Sequence, residues 1–102
     1  MDMGFEWDER KRRANIKKHG FDFEDAAQVF EGVTVTYADE RDDYDEARFI
    51  TLGLLDNLAV YIVHTERGDN IRIISMRKAL SYETDFFYQE IGYRLEPGEG
   101  DD

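Results

Sequence analysis

His64, Arg72 and Arg77 are the residues of this chain best equipped for chemistry. His64 closes an apolar segment, and an imidazole with an ordinary pKa of about 6.5 exchanges protons near neutral pH. A lone histidine in that position is, however, more often a satisfied core residue than a catalyst. Arg72 and Arg77 stand out of the otherwise apolar run Ile71 to Met76. A guanidinium on such a strand needs an anion, either a carboxylate such as Glu66 or Glu83 or a phosphate. Lys11, Asn15 and Lys18 recur at intervals of four and three residues and so share one helical face. A solvated surface accounts for the lysines. Asn15 is a poor helix former with nothing local to cap, so its amide is expected to bond across to another element. His19 is expected to satisfy carbonyls at the end of that helix. No metal or cofactor site is indicated: the two histidines are distant, and the aspartates of 39–46 lack the spacing of a calcium loop.

The elements that must position these groups follow from periodicity. Asp8 predicts the N-cap of a first helix ending at His19, with Gly20 as the left-handed residue that stops it. That helix has almost no apolar stripe, so it should lie on a rim and rely on Phe5, Trp7 and Phe21 for anchorage. Asp22 caps a second helix, in which Phe23, Ala26, Ala27 and Phe30 form the buried stripe. From Gly32 the period becomes two, predicting strands over 33–37, 49–55, 58–65 and 71–78, the last two joined by a hairpin turn at Arg67-Gly68-Asp69-Asn70. Ser81 caps a final helix reaching about Tyr93. The expected fold is α+β: an antiparallel sheet of about four strands, two N-terminal helices and one C-terminal helix. In the expected hairpin register His64 opposes Ile73 and shares a face with Ser75 and Arg77, while Thr65, Arg67, Arg72 and Lys78 occupy the other face.

At 102 residues the chain supports one domain, placed at 1–95, with an acidic flexible tail at 96–102. Cysteine is absent, which removes disulfides, thiol catalysis and Cys-ligated zinc together. Residues 1–20 are too charged for a signal peptide and no apolar run is long enough to span a bilayer, so a cytoplasmic protein without membrane attachment is expected. The formal charge of −11 argues against tight, indiscriminate binding of nucleic acid. Much of that acid sits in 39–46 and the tail, leaving two basic groups: Arg10 to Arg13 with Lys17 and Lys18, and Arg67, Arg72, Arg77 and Lys78.

Phe5-Glu6-Trp7-Asp8, Lys11, Asn15, Lys18-His19-Gly20 and Phe23, followed by His64-Thr65-Glu66-Arg67-Gly68 and Arg72 to Ala79, resemble the BrnT family over roughly residues 5 to 88. That resemblance implies the toxin half of a type II toxin–antitoxin pair, with a RelE/ParE-like fold. It also implies a metal-independent endoribonuclease that arrests translation and is neutralised by a BrnA-like ribbon-helix-helix antitoxin, in a possible heterotetramer with an antitoxin dimer. Cutting RNA without a metal needs a base near the 2′-hydroxyl, an acid near the leaving 5′-oxygen and cations around the phosphorane. On this reading His64, Arg72, Arg77 and Tyr88 are the catalytic candidates, and Lys11, Asn15, Lys18, Arg67 and Lys78 hold the RNA.

The last helix departs from the family. A glutamate followed four residues later by a tyrosine is typical there, but Phe87 takes the tyrosine's place and Tyr88 comes one residue later. Tyr82, Thr84 and Asp85 stand where lysine or arginine is usual. The alternative function is therefore a catalytically weakened chain, kept as the antitoxin-binding subunit of a DNA-binding autorepressor complex.

Overall fold

The computed structural model describes residues 4–95; the expected acidic tail lies outside them. Five strands, β1 (Gly4–Trp7), β2 (Val35–Ala38), β3 (Phe49–Leu55), β4 (Leu58–Arg67) and β5 (Asn70–Lys78), form one sheet in the order β1-β5-β4-β3-β2. Three α-helices accompany it: α1 (Glu9–His19), α2 (Ala26–Glu31) and α3 (Ser81–Leu95). The α+β class is as expected, but the sheet is mixed, because β1 adds a fifth strand parallel to β5. Sequence periodicity misses it for a physical reason. Four residues hold a single alternation: Phe5 and Trp7 pack on the core, while Glu6 turns to the other face and pairs with Arg72 at 3.0 Å. The second helix also differs, since Asp22 caps a short 3-10 turn at Phe23–Asp25 before α2 begins.

The first helix starts where expected. The Asp8 carboxylate accepts from the amides of Arg10 and Lys11 at 2.9 and 3.2 Å, and Gly20 ends the helix at φ +80°. Its one buried residue is Asn15. The ladder between β1 and β5 stops at Trp7 and Ile73, so beyond that point β5 has an unpaired edge. Asn15 fills it. Its Oδ1 accepts from the Met76 amide at 3.1 Å, and its Nδ2 donates to the carbonyls of Met76 and Phe21 at 2.8 and 3.0 Å. A side-chain amide thereby does the work of one residue of a neighbouring strand. Arg12 adds a second polar tether, forking onto Asp22 at 2.8 and 2.9 Å.

Each face of the sheet carries its own core. One is covered by Phe23, Ala26 and Val29, which bury Val60, Ile62, Ile71, Ile73 and Met76. A Cβ on Gly53 would meet Val29 Cγ1 at 2.6 Å, so glycine is what lets α2 lie this close to β3. The other face is covered by α3 through the fully buried Phe87, over Val35, Ile50, Leu52, Tyr61 and Val63. A two-residue turn joins β3 to β4, with Asp56 and Asn57 both at positive φ (50° and 71°), the hand that matches strand twist.

A β-bulge corrects the expected hairpin faces. His64 does oppose Ile73, but Val63 opposes Ser75, so Ile74 is the extra residue. Ile74 and Ser75 therefore both lie on the α3 face, which allows Ile73 and Met76 to share the α2 core. Beyond the bulge every side chain is displaced from the expected pattern. Arg77 lies opposite Tyr61, on the face of Arg72 and Thr65, while Lys78, opposite Val60, joins the His64 face. The tandem apolar pair Ile73-Ile74 was the sequence sign of this break in alternation.

Replacing Asn15 with leucine strands the amide and carbonyl of Met76 without partners. A loss of about 2–4 kcal/mol in urea denaturation is expected, from roughly 1–3 kcal/mol for each buried unsatisfied group. An unchanged denaturation midpoint would show that the asparagine does not hold the β5 edge.

Candidate active site

The helix α3 sits over β2 and β3 and leaves the α3-side face of β5 open toward α1. Along that open strip β5 presents Arg72, then Ser75, then Arg77. Against it stands the C-terminal half of α1, and the two enclose a groove of about 200 Å³ lined by Lys11, Asn15, Lys18, His19, Ile74 and Ser75. The groove exists because Asn15 clamps α1 to the bulged edge of β5. A larger cavity of about 460 Å³ opens in 38–49, but its lining of aspartates and glutamates repels phosphate.

The electrostatics of the groove follow from which cations are already spent. Arg12 and Arg13 pair with Glu9, and Arg12 also with Asp22 and Glu24. Lys11 and Lys18 are exposed and form no salt bridge among the described residues. His19 is half-buried between them and the sheet. Its pKa lies below the ordinary value, first because burial disfavours the charged ring, then because Lys18 and Arg77 repel a proton. Near neutral pH it is held in the form that accepts a proton. Its ring makes no hydrogen bond among the described residues.

Arg77 is fixed from two sides. Its guanidinium forks onto Glu83, Nη1 to Oε1 and Nη2 to Oε2, both at 2.9 Å, and lies 3.7 Å from the centroid of the Tyr61 ring. The Glu83 hydrogen bond raises the Arg77 pKa. Burial alone would raise that of Glu83, but Arg77 and the Leu80 amide outweigh it and hold the carboxylate ionised. This half-buried pair fixes the guanidinium plane against the Tyr61 ring. Arg72 likewise has a carboxylate, Glu6, at 3.0 Å, and Arg67 lies at the hairpin end, 3.7 Å from Glu46.

His64 is placed elsewhere. It is 3% exposed and on the α2 face, between Phe30 and Phe49 with ring centroids 5.3 and 5.9 Å away. Its Nε2 is 2.7 Å from Thr51 Oγ1, and its Nδ1 has no hydrogen-bond partner among the described residues. Burial pushes its pKa down to about 4. The sheet itself separates it from Arg72 and Arg77. Lys78 shares the His64 face, and Tyr88 is exposed on a flank of α3. Phe87 sets that phase: with its ring in the core, the next residue is turned by about 100°. Phe86, on the opposite flank, stacks edge-on with Tyr37 of β2, which leaves Tyr88 on the flank turned away from β2. Of the sequence candidates the structure thus gathers Lys11, Asn15 and Lys18 in the groove, with Arg77 further along the same face of β5. His19 and Ser75 are added, and the triplet Lys18-His19-Gly20 was the signal that could have found the histidine.

A family model described as the ribonuclease toxin BrnT of type II toxin–antitoxin systems matches residues 7–83, a span that includes α1, the bulged hairpin and Glu83. The chain belongs to the BrnT family. It is also similar to the Brucella abortus ribonuclease toxin BrnT, known from a crystal structure at 1.1 Å resolution. The two share 29% identity over 78% of this chain and all of that one, with a TM-score of 0.65. No curated protein matches the chain. Among the described residues no three His, Asp or Glu side chains converge as metal ligands, and no helix is long and apolar enough to cross a membrane.

The two imidazoles differ in a measurable way. A folded pKa of about 4 for His64, against about 6.5 unfolded, means that only the unfolded chain takes up the proton as pH falls between those values. Stability present above pH 6.5 should therefore be lost progressively toward pH 4, by about 3 kcal/mol. Asp39, held at about 2 by Arg41, contributes only at lower pH, and His19 adds in the same direction as His64. Urea melts of wild type and His64→Gln at pH 7 and 4.5 should show most of the difference vanishing in the variant. Parallel losses in both proteins would refute the assignment.

Proposed function

We propose that this BrnT-family chain is an active, metal-independent endoribonuclease whose site is the groove between α1 and β5. The observation that carries this reading is the groove lined by Lys11, Lys18 and the proton-accepting His19, with the fixed guanidinium of Arg77 further along the same face of β5, beyond Ser75. In an RNA bound along the strip, Arg77 faces a phosphate and stabilises charge developing on its oxygens. His19 takes the proton from the 2′-hydroxyl, whose oxygen attacks that phosphorus. The 5′-oxygen leaves with a proton from Lys18 or Lys11, giving a cyclic phosphate and a 5′-hydroxyl. Histidine in this role is His19 rather than His64, because the enclosed His64 ring has no path to a phosphate on the other face. Arg72, Arg67 and Tyr88 flank the groove as further contacts to the RNA chain; Asn15 serves the site by holding its wall.

A toxin with this activity arrests translation in the cytoplasm. Its partner is proposed to be a BrnA-like ribbon-helix-helix antitoxin, joined as a dimer in a heterotetramer. An antitoxin that covers the groove needs an acidic element there, since opposite potentials set register.

Purified protein should cleave single-stranded RNA with EDTA present. His19→Gln should fold normally and lose roughly a hundredfold in rate, the usual scale of general acid–base catalysis, whereas folded His64→Gln should keep its rate. Lys11→Ala and Lys18→Ala should each lower the salt slope of RNA binding by about one. Undetectable cleavage with intact antitoxin binding would leave the chain a partner-binding subunit and sink this reading.

A further inference from the structure

The chain carries −11, so Coulomb attraction to RNA is weak over most of its surface. Beside the few phosphate contacts of the α1 groove, affinity then gains from contacts that do not depend on charge. Next to Arg77, on the same face of the sheet, lies a second groove of about 320 Å³ between the N-terminal end of α3 and residues 37–41. Its lining sets three tyrosines, Tyr37, Tyr61 and Tyr82, beside Arg41 and the carboxylates of Asp39, Glu40 and Glu83, two of them tied up by arginines. Tyr61 forms the floor at 4% exposure, while Tyr37 and Tyr82 stand at the mouth at 36% and 70%. Phe86 stacks edge-on against Tyr37 at 5.9 Å.

Two arginines share the floor. The guanidinium carbon of Arg77 is 3.7 Å and that of Arg41 is 5.9 Å from the Tyr61 centroid. Arg41 is fixed by Asp39, which receives its Nε and Nη2 at 2.7 Å each. Rigid aromatic and guanidinium planes at the edge of a phosphate site are the surfaces on which bases stack.

We propose that this groove is a nucleobase subsite, holding the base next to the phosphate at Arg77 between Tyr37, Tyr82 and the Arg41 guanidinium. The inference rests on the ribonuclease reading and adds what the site recognises. Because stacking tolerates every base, the subsite requires a base to be present without dictating which one.

An abasic scan tests it. Oligonucleotides carrying one abasic nucleotide at successive positions around the cleavage point are compared with the intact strand. One flanking position should cost roughly five- to a hundredfold in kcat/KM, the range of one base stacked on an aromatic side chain. In Tyr82→Ala, an exposed change that spares the fold, the intact strand should lose a similar factor and the abasic penalty should disappear. Binding of the same strands with 2′-deoxyribose, which cannot be cut, reads the subsite even if no RNA is cleaved. A missing abasic penalty, or one that persists in Tyr82→Ala, overturns the proposal. So does a variant with wild-type RNA binding but weakened inhibition by the antitoxin, which would make the groove a protein-docking surface.

Discussion

One asparagine decides where the groove can exist. Strand β1 protects β5 only as far as Ile73, and past that point the sheet would end in bare peptide groups beside a helix with no apolar face. The Asn15 amide meets Met76 with both a donor and an acceptor, a pairing that a strand makes and few side chains copy. The site wall and the sheet edge are thus a single hydrogen-bonded unit. That bond also resolves an apparent waste, the placement of a weak helix former in the middle of α1.

The bulge one residue away works with it. Without an extra residue at Ile74, Ile73 and Met76 could not both enter the core under α2, and Arg77 would emerge on the side of His64. Packing demand on one face therefore fixes the cation on the other. The acidity of the chain is reconciled in the same geometry, because carboxylates neutralise Arg12, Arg72 and Arg77 individually while the α1 lysines form no salt bridge among the described residues. Charge is arranged locally, and the total says little about the groove.

The long-range frame was legible in the sequence. Capping at Asp8, the stop at Gly20, the stripe of Phe23 and Ala26, and the pairing of His64 with Ile73 all follow from spacing, and the structure has each of them. Family resemblance supplied the biology that spacing alone does not. What spacing obscured were features shorter than one period. The strand β1 holds a single alternation, and a bulge reverses parity without changing composition. The assignment of His64 to the face of Arg77 fell with that parity. His19 was read by its helix position alone, since a sequence does not show that its ring lines a groove against Ile74 and Ser75 of β5.

The polar attachment of α1 also shapes how the molecule comes apart. Helix α1 buries a single side chain, Asn15, and is fastened by hydrogen bonds and the Arg12 fork rather than by oily surface. Lifting it away hydrates little apolar area, so that step carries a small heat-capacity change and responds weakly to denaturant. Melting of the sheet, with its two apolar layers, carries the large values. Amide exchange in α1 should thus run ahead of that in β4, making the groove wall a separate cooperative unit that can be lost while the scaffold persists.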